Sequence, residues 1–584
     1  MFKRCLTLWL VILAALLVAI IPTQVPAQSR PISVLPELTA PTSADVLPIV
    51  SGGQTQKITL PNLLNAIWAH HHGGFTGAAI SAALTEIGAN VRILALAPGA
   101  WTISSDLTIP ANVTLWPMPG AILNVAAGKT LTLNHKPLAG LDQIFSGTGT
   151  VVFGSGAVDE LFPQWWGGGA GVADNAPYIN QAIDAANACG ATVKLVGDYP
   201  ITSTVYLKRY VNIVGTRYSY AGASDPGARI IATGNITAVA LTTANNAANV
   251  SMENLTIEQS SPRAGTGLLI NTGLVNLRRV RTTGFQYGHK LESNVIWWDT
   301  IRESFIENCD YGVYINNSGS YNYTTLSYYN TRIAGCTYAV YAASTPVQNS
   351  VTIFRECNIE TSTYGIYLGS CKTVKIDGCY FEQITNYAIN ADNSTQMTVS
   401  GCYFNSNGYG VYSVGPVANL TLIGNAFVGT ATADIHIIGG AVASNVALIN
   451  NQTTNTVTLT TAGYVKLGAD SGVNNVIFFK GLFNINVSGV DLRGLYMVEQ
   501  AVDFGGVSAQ SHLDSAAINI GTSATQYAEM LVTPTTPPPA GLIFTVHPYA
   551  AASDYVVIRA HNYTAAAIDP ASLTFRILVF KHLD

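Results

Sequence analysis

Between residues 277 and 436 apolar and polar residues alternate with a period of two, in short bursts that keep returning. "FRECNIETSTYGIY" (354–367) aligns without a gap to "IRESFIENCDYGVY" (301–314) and to "YYNTRIAGCTYAVY" (328–341). "LRRVRTTGFQYGHK" (277–290) and "VSGCYFNSNGYGVY" (399–412) keep the same frame. "IDGCYFEQITNYAIN" (376–390) and "LIGNAFVGTATADIH" (422–436) keep it with one added residue each. Successive starts at 277, 301, 328, 354, 376, 399 and 422 give a period of 22 to 27 residues, the range of stacked repeats. Alternation rich in β-branched and aromatic residues predicts short strands, and the Asp-Gly and Asn-Gly breaks predict turns. Long amphipathic runs, which helical repeats require, are missing from this stretch.

Parallel coils lie about 4.8 Å apart, so equal places in the frame become vertical files. Ile306, Ile333, Ile359, Phe381, Phe404 and Phe427 form one expected inward file, and Val313, Val340, Ile366, Ile389, Val411 and Ile435 another. Ser304, Thr331, Cys357, Cys379, Cys402 and Asn425 form a file of small residues between them. The preferred hand of parallel crossovers makes the coil right-handed. The fold class is therefore all-β: a right-handed parallel β-helix, a single-stranded solenoid.

A weaker duplication lies upstream. "GAWTISSDLTIPANVTL" (99–115) aligns to "GDYPITSTVYLKRYVNI" (197–213), and each copy follows an expected helix, 78–87 and 176–188. A helix ahead of the first coil covers an apolar end that would otherwise invite edge-to-edge association. This gives a short N-terminal β module at 76–158 and a long β-helix at 159–490, with a Gly-rich joint at "WWGGGAG" (165–171). After residue 495 the repeat fades. The Pro-rich "VTPTTPPPAG" (532–541) and the strand–turn–strand pattern of 555–580 predict a C-terminal β-sandwich at 495–584.

The N-terminus has the form of an export signal at 1–27, followed by a linker or attachment segment at 28–75. Lys3 and Arg4 precede an apolar stretch at 6–21, and Val25-Pro26-Ala27 offers a small-residue cleavage site. The rival reading keeps this segment uncleaved as a membrane anchor, since its length approaches a span. Either way the protein is expected to be secreted or at the cell surface. Cleavage would remove Cys5 from the eight cysteines, and the remaining seven lack a paired framework, so buried free thiols are expected. Charged residues make up 10% of the chain with a net charge of −5 and no basic tract, which excludes an electrostatic case for nucleic acid.

"DELFPQWWGGGAGVADNAPYINQAIDAA" (159–186) followed by "GDYPITSTVYLK" resembles the opening motif of the pectate-lyase superfamily of β-helices, shared by phage tailspikes and many secreted bacterial proteins. Asp174 and Asn175 stand where that family usually has two aspartates, and Gly-Gly-Ala-Gly replaces its Gly-Asp-Gly. "ADVLPIVSGGQTQKITLPNLL" (44–64) and "IRAHNYTAAAIDPASLTFRILVFK" (558–581) are similar to segments near the N- and C-termini of phage tail proteins. The resemblance implies a polysaccharide or cell-surface glycan as partner and, by analogy with tailspikes, a homotrimer. It leaves the activity open among lyase, hydrolase and non-catalytic binder.

Two outward files carry the candidate chemistry. Tyr314, Tyr341, Tyr367 and Tyr412 close successive units, with Lys290, Asn390 and His436 in the other rungs, and Tyr321 and Tyr323 in an insert extend the same wall. Rings one rung apart suit sugar binding, through an apolar body and a polar tip; they also suit plain cross-strand packing. Glu307, Glu360 and Glu382 share another position, with Ala334 between the first two. Glu360 and Glu382, in consecutive rungs about 5 Å apart, could serve as the carboxylate pair of a retaining glycosidase, with Asp377 nearby. The rival reading is a structural ion-pair face, because Arg355 shares a file with Asp377 and Arg279 is expected to face Glu303.

His289 in Gly288-His289-Lys290 is the nearest match to the Gly-His-Gly that the resemblance associates with polygalacturonase-like enzymes, but it falls on an inward position. Arg278, Arg279 and Arg281 with Asp299 and Asp310 make no convincing calcium cage. Consecutive His70, His71 and His72 lack metal-ligand spacing. No metal or cofactor is expected, with calcium the one candidate.

Overall fold

The computed structural model describes residues 46–51, 54–59 and 65–582, apart from 218–226, 246, 293–296, 316–324, 343–350, 369–371, 395, 439–443, 456, 461–464, 468–476, 481–483, 488–489, 520–528, 549–554 and 571. The leader at 1–27 and Tyr321 and Tyr323 lie outside the described residues. Among the described residues no helix is long and apolar enough to cross a membrane.

Each coil has three short strands. In one rung they are Asp299–Arg302, Phe305–Glu307 and Tyr311–Ile315; in the next, Leu326–Tyr329, Arg332–Ala334 and Tyr338–Ala342. We call the surfaces built by these three strands faces one, two and three. All are parallel between rungs, and the register reproduces the sequence frame: Leu277, Ile301, Tyr328, Phe354, Ile376, Val399 and Leu422 are successive partners. The two apolar files predicted to point inward do so at or near zero exposure. Phe381, Phe404 and Phe427 stack face to face at 4.8 and 4.4 Å.

Corners between faces one and two, and between faces two and three, are made by single residues in the left-handed backbone region. Arg279, Glu303, Asn330, Glu356, Gly378, Gly401 and Gly424 form the first file; Gly284, Asn308, Gly335, Thr361, Gln383, Ser406 and Gly429 form the second. A left-handed residue turns the chain without ending the ladder, since its own N–H donates to the next rung: Glu303 to Tyr329 O at 3.1 Å and Glu356 to Asp377 O at 2.9 Å. Just beyond the first corner stands the small-residue file. Its side chains donate to the carbonyl two residues back, as Ser304 does to Arg302 O at 2.8 Å, Thr331 to Tyr329 O at 2.9 Å and Cys357 to Arg355 O at 3.3 Å. Hydroxyl and thiol both do this work, while the Asn425 amide donates instead to Val399 O of the preceding rung at 2.9 Å, so Ser, Thr, Cys and Asn each find a carbonyl partner there. The described cysteines are free and buried.

From Tyr287 to Ser413 the strands of face three begin with Tyr and then Gly or Ala at a crowded inward position. A Cβ on Gly365 would lie 2.1 Å from the Ala388 carbonyl oxygen. Replacing Gly365 by Val is therefore expected to cost about 3 kcal/mol, read as a lower urea midpoint of unfolding.

The N-terminal module follows the same plan on a smaller scale. Gly77–Ile87 precedes three small parallel sheets, and Ala176–Cys189 precedes the long solenoid. The second helix buries Ile179, Ala182, Ile183 and Ala186. Asn175 ties it to the first coil, donating to Pro200 O at 2.9 Å, and Asp174 accepts from Thr202 N at 3.0 Å. The apolar core runs without a break from Ile67 to Val457, across the Gly-rich joint. At the C-terminus two four-stranded antiparallel sheets enclose a separate core around Val507, Ile558, Phe575 and Ile577. Their first strands, Asn484–Val487 and Val490–Val502, begin before the expected boundary at 495.

Candidate functional site

Face three carries two tyrosine files side by side. Its tyrosine-bearing strands read aromatic, small, aliphatic, aromatic and then Ile, Ala, Leu or Ser, so positions one and four point outward and three and five inward. Position four holds the expected Tyr314, Tyr341, Tyr367 and Tyr412. Position one adds Tyr287, Tyr311, Tyr338, Tyr364, Tyr387 and Tyr409. All are half-buried.

Within each file the rings stack: Tyr311 on Tyr338 at 5.3 Å and 5°, Tyr338 on Tyr364 at 4.5 Å, Tyr341 on Tyr367 at 5.1 Å and 8°. Between files they meet edge to face, as Tyr338 meets Tyr341 at 5.1 Å. Where Asn390 leaves a gap in file four, Tyr387 leans across and stacks on Tyr412 at 5.3 Å and 7°. His436 then continues the stack below Tyr412 at 5.4 Å. Burial and neighbouring phenols raise the pKa of Tyr311, Tyr314, Tyr338 and Tyr367, so these four hydroxyls keep their protons at neutral pH.

This geometry changes the expected mode of sugar contact. Rings about 5 Å apart leave no room for a pyranose between them, so the ring faces are closed to a ligand. What is left for a ligand is the ring edge and hydroxyl of each tyrosine, two to a rung where both files are filled.

The glutamates form the file expected on face two, with Glu307, Ala334, Glu360 and Glu382 as successive partners. Their charges are largely matched. Arg281 donates to Glu307 at 3.0 Å, Arg332 bridges Glu307 and Glu360, and its Nη2 lies 3.0 Å from Glu360 Oε2. Glu382 accepts instead from an amide, Asn405 Nδ2 at 2.9 Å. Asp377 stands on face one, outside the glutamate file, where Arg355 donates to it at 3.2 Å and Ser400 Oγ at 2.8 Å. Arg279 meets Glu303 at 2.9 Å, as expected from the frame.

His289 is a core residue. It has no exposure, with Tyr328 Oη 3.4 Å from Nδ1 and Thr282 Oγ1 3.3 Å from Nε2. Among the described residues no group of three His, Cys, Asp or Glu side chains could hold a metal ion. His72 instead pairs with Glu86 at 3.1 Å.

Residues 237–453 match the family model of the right handed beta helix region. The solenoid is a right-handed β-helix. No curated protein matches the sequence. Among solved structures, the β-helix is similar to the tailspike protein gp49 of Acinetobacter baumannii bacteriophage Fri1, a capsular polysaccharide depolymerase, at 10% identity and TM-score 0.41, over 73% of this chain and 86% of that one. The gp42 tailspike of Acinetobacter phage vb_AbaP_AS12 matches at 13% identity and TM-score 0.40, over 73% and 80%. DFA-IIIase from Arthrobacter chlorophenolicus A6 matches at 13% identity and TM-score 0.36, over 56% and 93%.

Two features of the β-helix surface were missed from sequence. The position-one tyrosines were legible as a file but not as part of the wall. The Arg332 bridge was hidden because it runs diagonally, from one outward file of face two to the other.

Proposed function

We propose that this protein binds a polysaccharide laid along the side of its β-helix, with the tyrosine wall of face three supplying hydroxyls and ring edges. The double file of half-buried, stacked tyrosines carries this reading. It offers one or two polar tips per rung on an apolar, preordered surface, the pairing of properties that orients a sugar chain. The stacked rings leave little side-chain freedom to be lost on binding. The same proposal places the protein outside the cell or at its surface, as a homotrimer by analogy.

Cleavage of glycosidic bonds is a second reading, supported by one observation. Glu360 and Glu382 sit in consecutive rungs with unlike partners, a guanidinium and an amide, and a division of roles between two carboxylates needs such asymmetry. The Arg281–Glu307–Arg332–Glu360 chain of ion pairs supports the opposite case, a non-catalytic adhesin or surface fibre whose glutamates are structural.

A panel of neutral glycans and uronans, assayed for binding and for new reducing ends or unsaturated products, tests both. Tyr341→Ala and Tyr367→Ala are each expected to weaken binding about tenfold, as loss of one good polar contact with its buried apolar area does. Cleavage that disappears in Glu360→Gln and Glu382→Gln supports the enzyme; binding without any product supports the adhesin. Undiminished binding in both tyrosine variants rejects the wall.

A further inference from the structure

The corner between faces three and one differs from the other two in what it puts in the left-handed region. Tyr210, Asn249, Leu274 and Trp298 follow one another there at φ 62°, 53°, 62° and 57°. Their backbones are linked rung to rung, as in Leu274 N to Trp297 O at 2.9 Å. Asn suits this conformation; a tryptophan in it is an outlier, and such strain persists where the surroundings hold it in place. Trp298 is 66% exposed and Trp297 36%, with ring centroids 5.8 Å apart. Trp297 is seated. Its indole lies over Gly273 in the preceding rung, so close that a Cβ on Gly273 would fall 2.5 Å from the ring. In contrast to the tyrosine wall, the Trp298 ring has no stacking partner among the described residues.

From this corner the chain runs directly into Asp299–Arg302 of face one, which ends in a guanidinium. Arg302 lies between Arg278 and Tyr329 in its file. Arg278 is held by Glu253 at 3.2 Å and by Glu303 at 3.3 Å, and Arg355 by Asp377 at 3.2 Å. Arg302 is exposed and has no acidic partner among the described residues. Between indole and guanidinium, the outward positions on this and the preceding rung are Thr300 and Asn276, a hydroxyl and an amide. At about 3.3 Å per strand residue, Trp298 and Arg302 stand about 13 Å apart along one rung.

We propose that Trp297, Trp298 and Arg302 form a subsite for an acidic sugar residue of the bound polysaccharide. The open indole takes the apolar face of a pyranose ring, and Arg302 takes a carboxylate on the same or the adjoining sugar. An anionic glycan fits better than an apolar protein partner because the described outward positions beside the indoles are an amide, a hydroxyl and a guanidinium with no acidic partner among the described residues. The proposal rests on the polysaccharide reading above and adds to it the class of sugar and a second contact area.

The full chain titrated with polygalacturonate and with dextran tests it, the first an acidic probe and the second a neutral one. Wild type is expected to prefer polygalacturonate, with a change in indole fluorescence. Arg302→Gln should lose about tenfold on polygalacturonate, the range of a lost charge-assisted hydrogen bond, and nothing on dextran. Trp298→Ala should lose affinity for both. Unchanged polygalacturonate binding in both variants, with a loss in Tyr341→Ala, overturns the subsite and leaves the wall standing. Binding of dextran alone by wild type overturns the acidic class. Binding of neither probe overturns the acidic-sugar subsite, and the polysaccharide reading falls with it only if the wider glycan panel is negative as well.

Discussion

Asn in place of Asp299 is expected to make the protein more stable at pH 8 while leaving it nearly unchanged at pH 4. Asp299 occupies an inward position beneath the Trp297–Trp298 corner with no exposure. Its Oδ1 accepts from Val275 N at 2.9 Å, and its Oδ2 has no partner among the described residues. Burial raises its pKa to about 8, from 3.8. The folded state therefore keeps a proton that the unfolded chain releases above pH 4, and stability falls as pH rises between those values, by about 1.4 kcal/mol per unit. His289 acts in the opposite sense. Burial lowers its pKa to about 3, from 6.5, so the unfolded chain gains a proton below pH 6.5 that the core refuses, and stability falls as pH drops through that range.

Between about pH 4 and 6.5 the two slopes cancel. Urea midpoints should be flat there and decline above it, until about pH 8, in wild type. Asp299→Asn should remove the decline, a difference on the order of 5 kcal/mol at the top of the window, and should introduce a fall below pH 6.5 from His289 acting alone. A wild-type profile that stays flat from pH 6.5 to 8 would show that Asp299 is not a buried acid.

Phe404→Ala is expected to cost about 3 to 5 kcal/mol, and Tyr403→Ala, one residue earlier, less than about 1 kcal/mol. Phe404 has no exposure and stacks between Phe381 and Phe427, so its removal leaves a void that neighbouring rungs, pinned by their own ladders, cannot close. Tyr403 points the other way, is 41% exposed, and stacks on Tyr380 alone. Urea midpoints of the two variants check both values. Equal costs would mean that the alternation between inside and outside is misassigned at this rung.

The period, the parallel coil and the inward files were legible because stacking forces like side chains into contact, so every rung repeats the same constraint. The corners were less so. A left-handed residue is marked by glycine at Gly378 and Gly401, but Arg279, Glu303 and Thr361 hold the same conformation with nothing in their type to announce it. Tyr341 and Tyr367 were legible as a wall, yet the closure of their faces depends on ring orientation, which sequence spacing does not carry. The lean of Tyr387 into the place of Asn390 is likewise a matter of which space a neighbour leaves empty. Trp297 and Trp298 fall outside the fourteen-residue frame. A strand would bury one of two adjacent residues; a corner exposes both.

The most direct test of a binding surface along the β-helix is a calorimetric titration of the full chain with size-graded fragments of whichever polysaccharide it binds. Affinity should climb with fragment length as successive rungs are engaged, then level off once the tyrosine files are spanned. Affinity already complete with a one- or two-sugar fragment would contradict a wall that reads its ligand rung by rung.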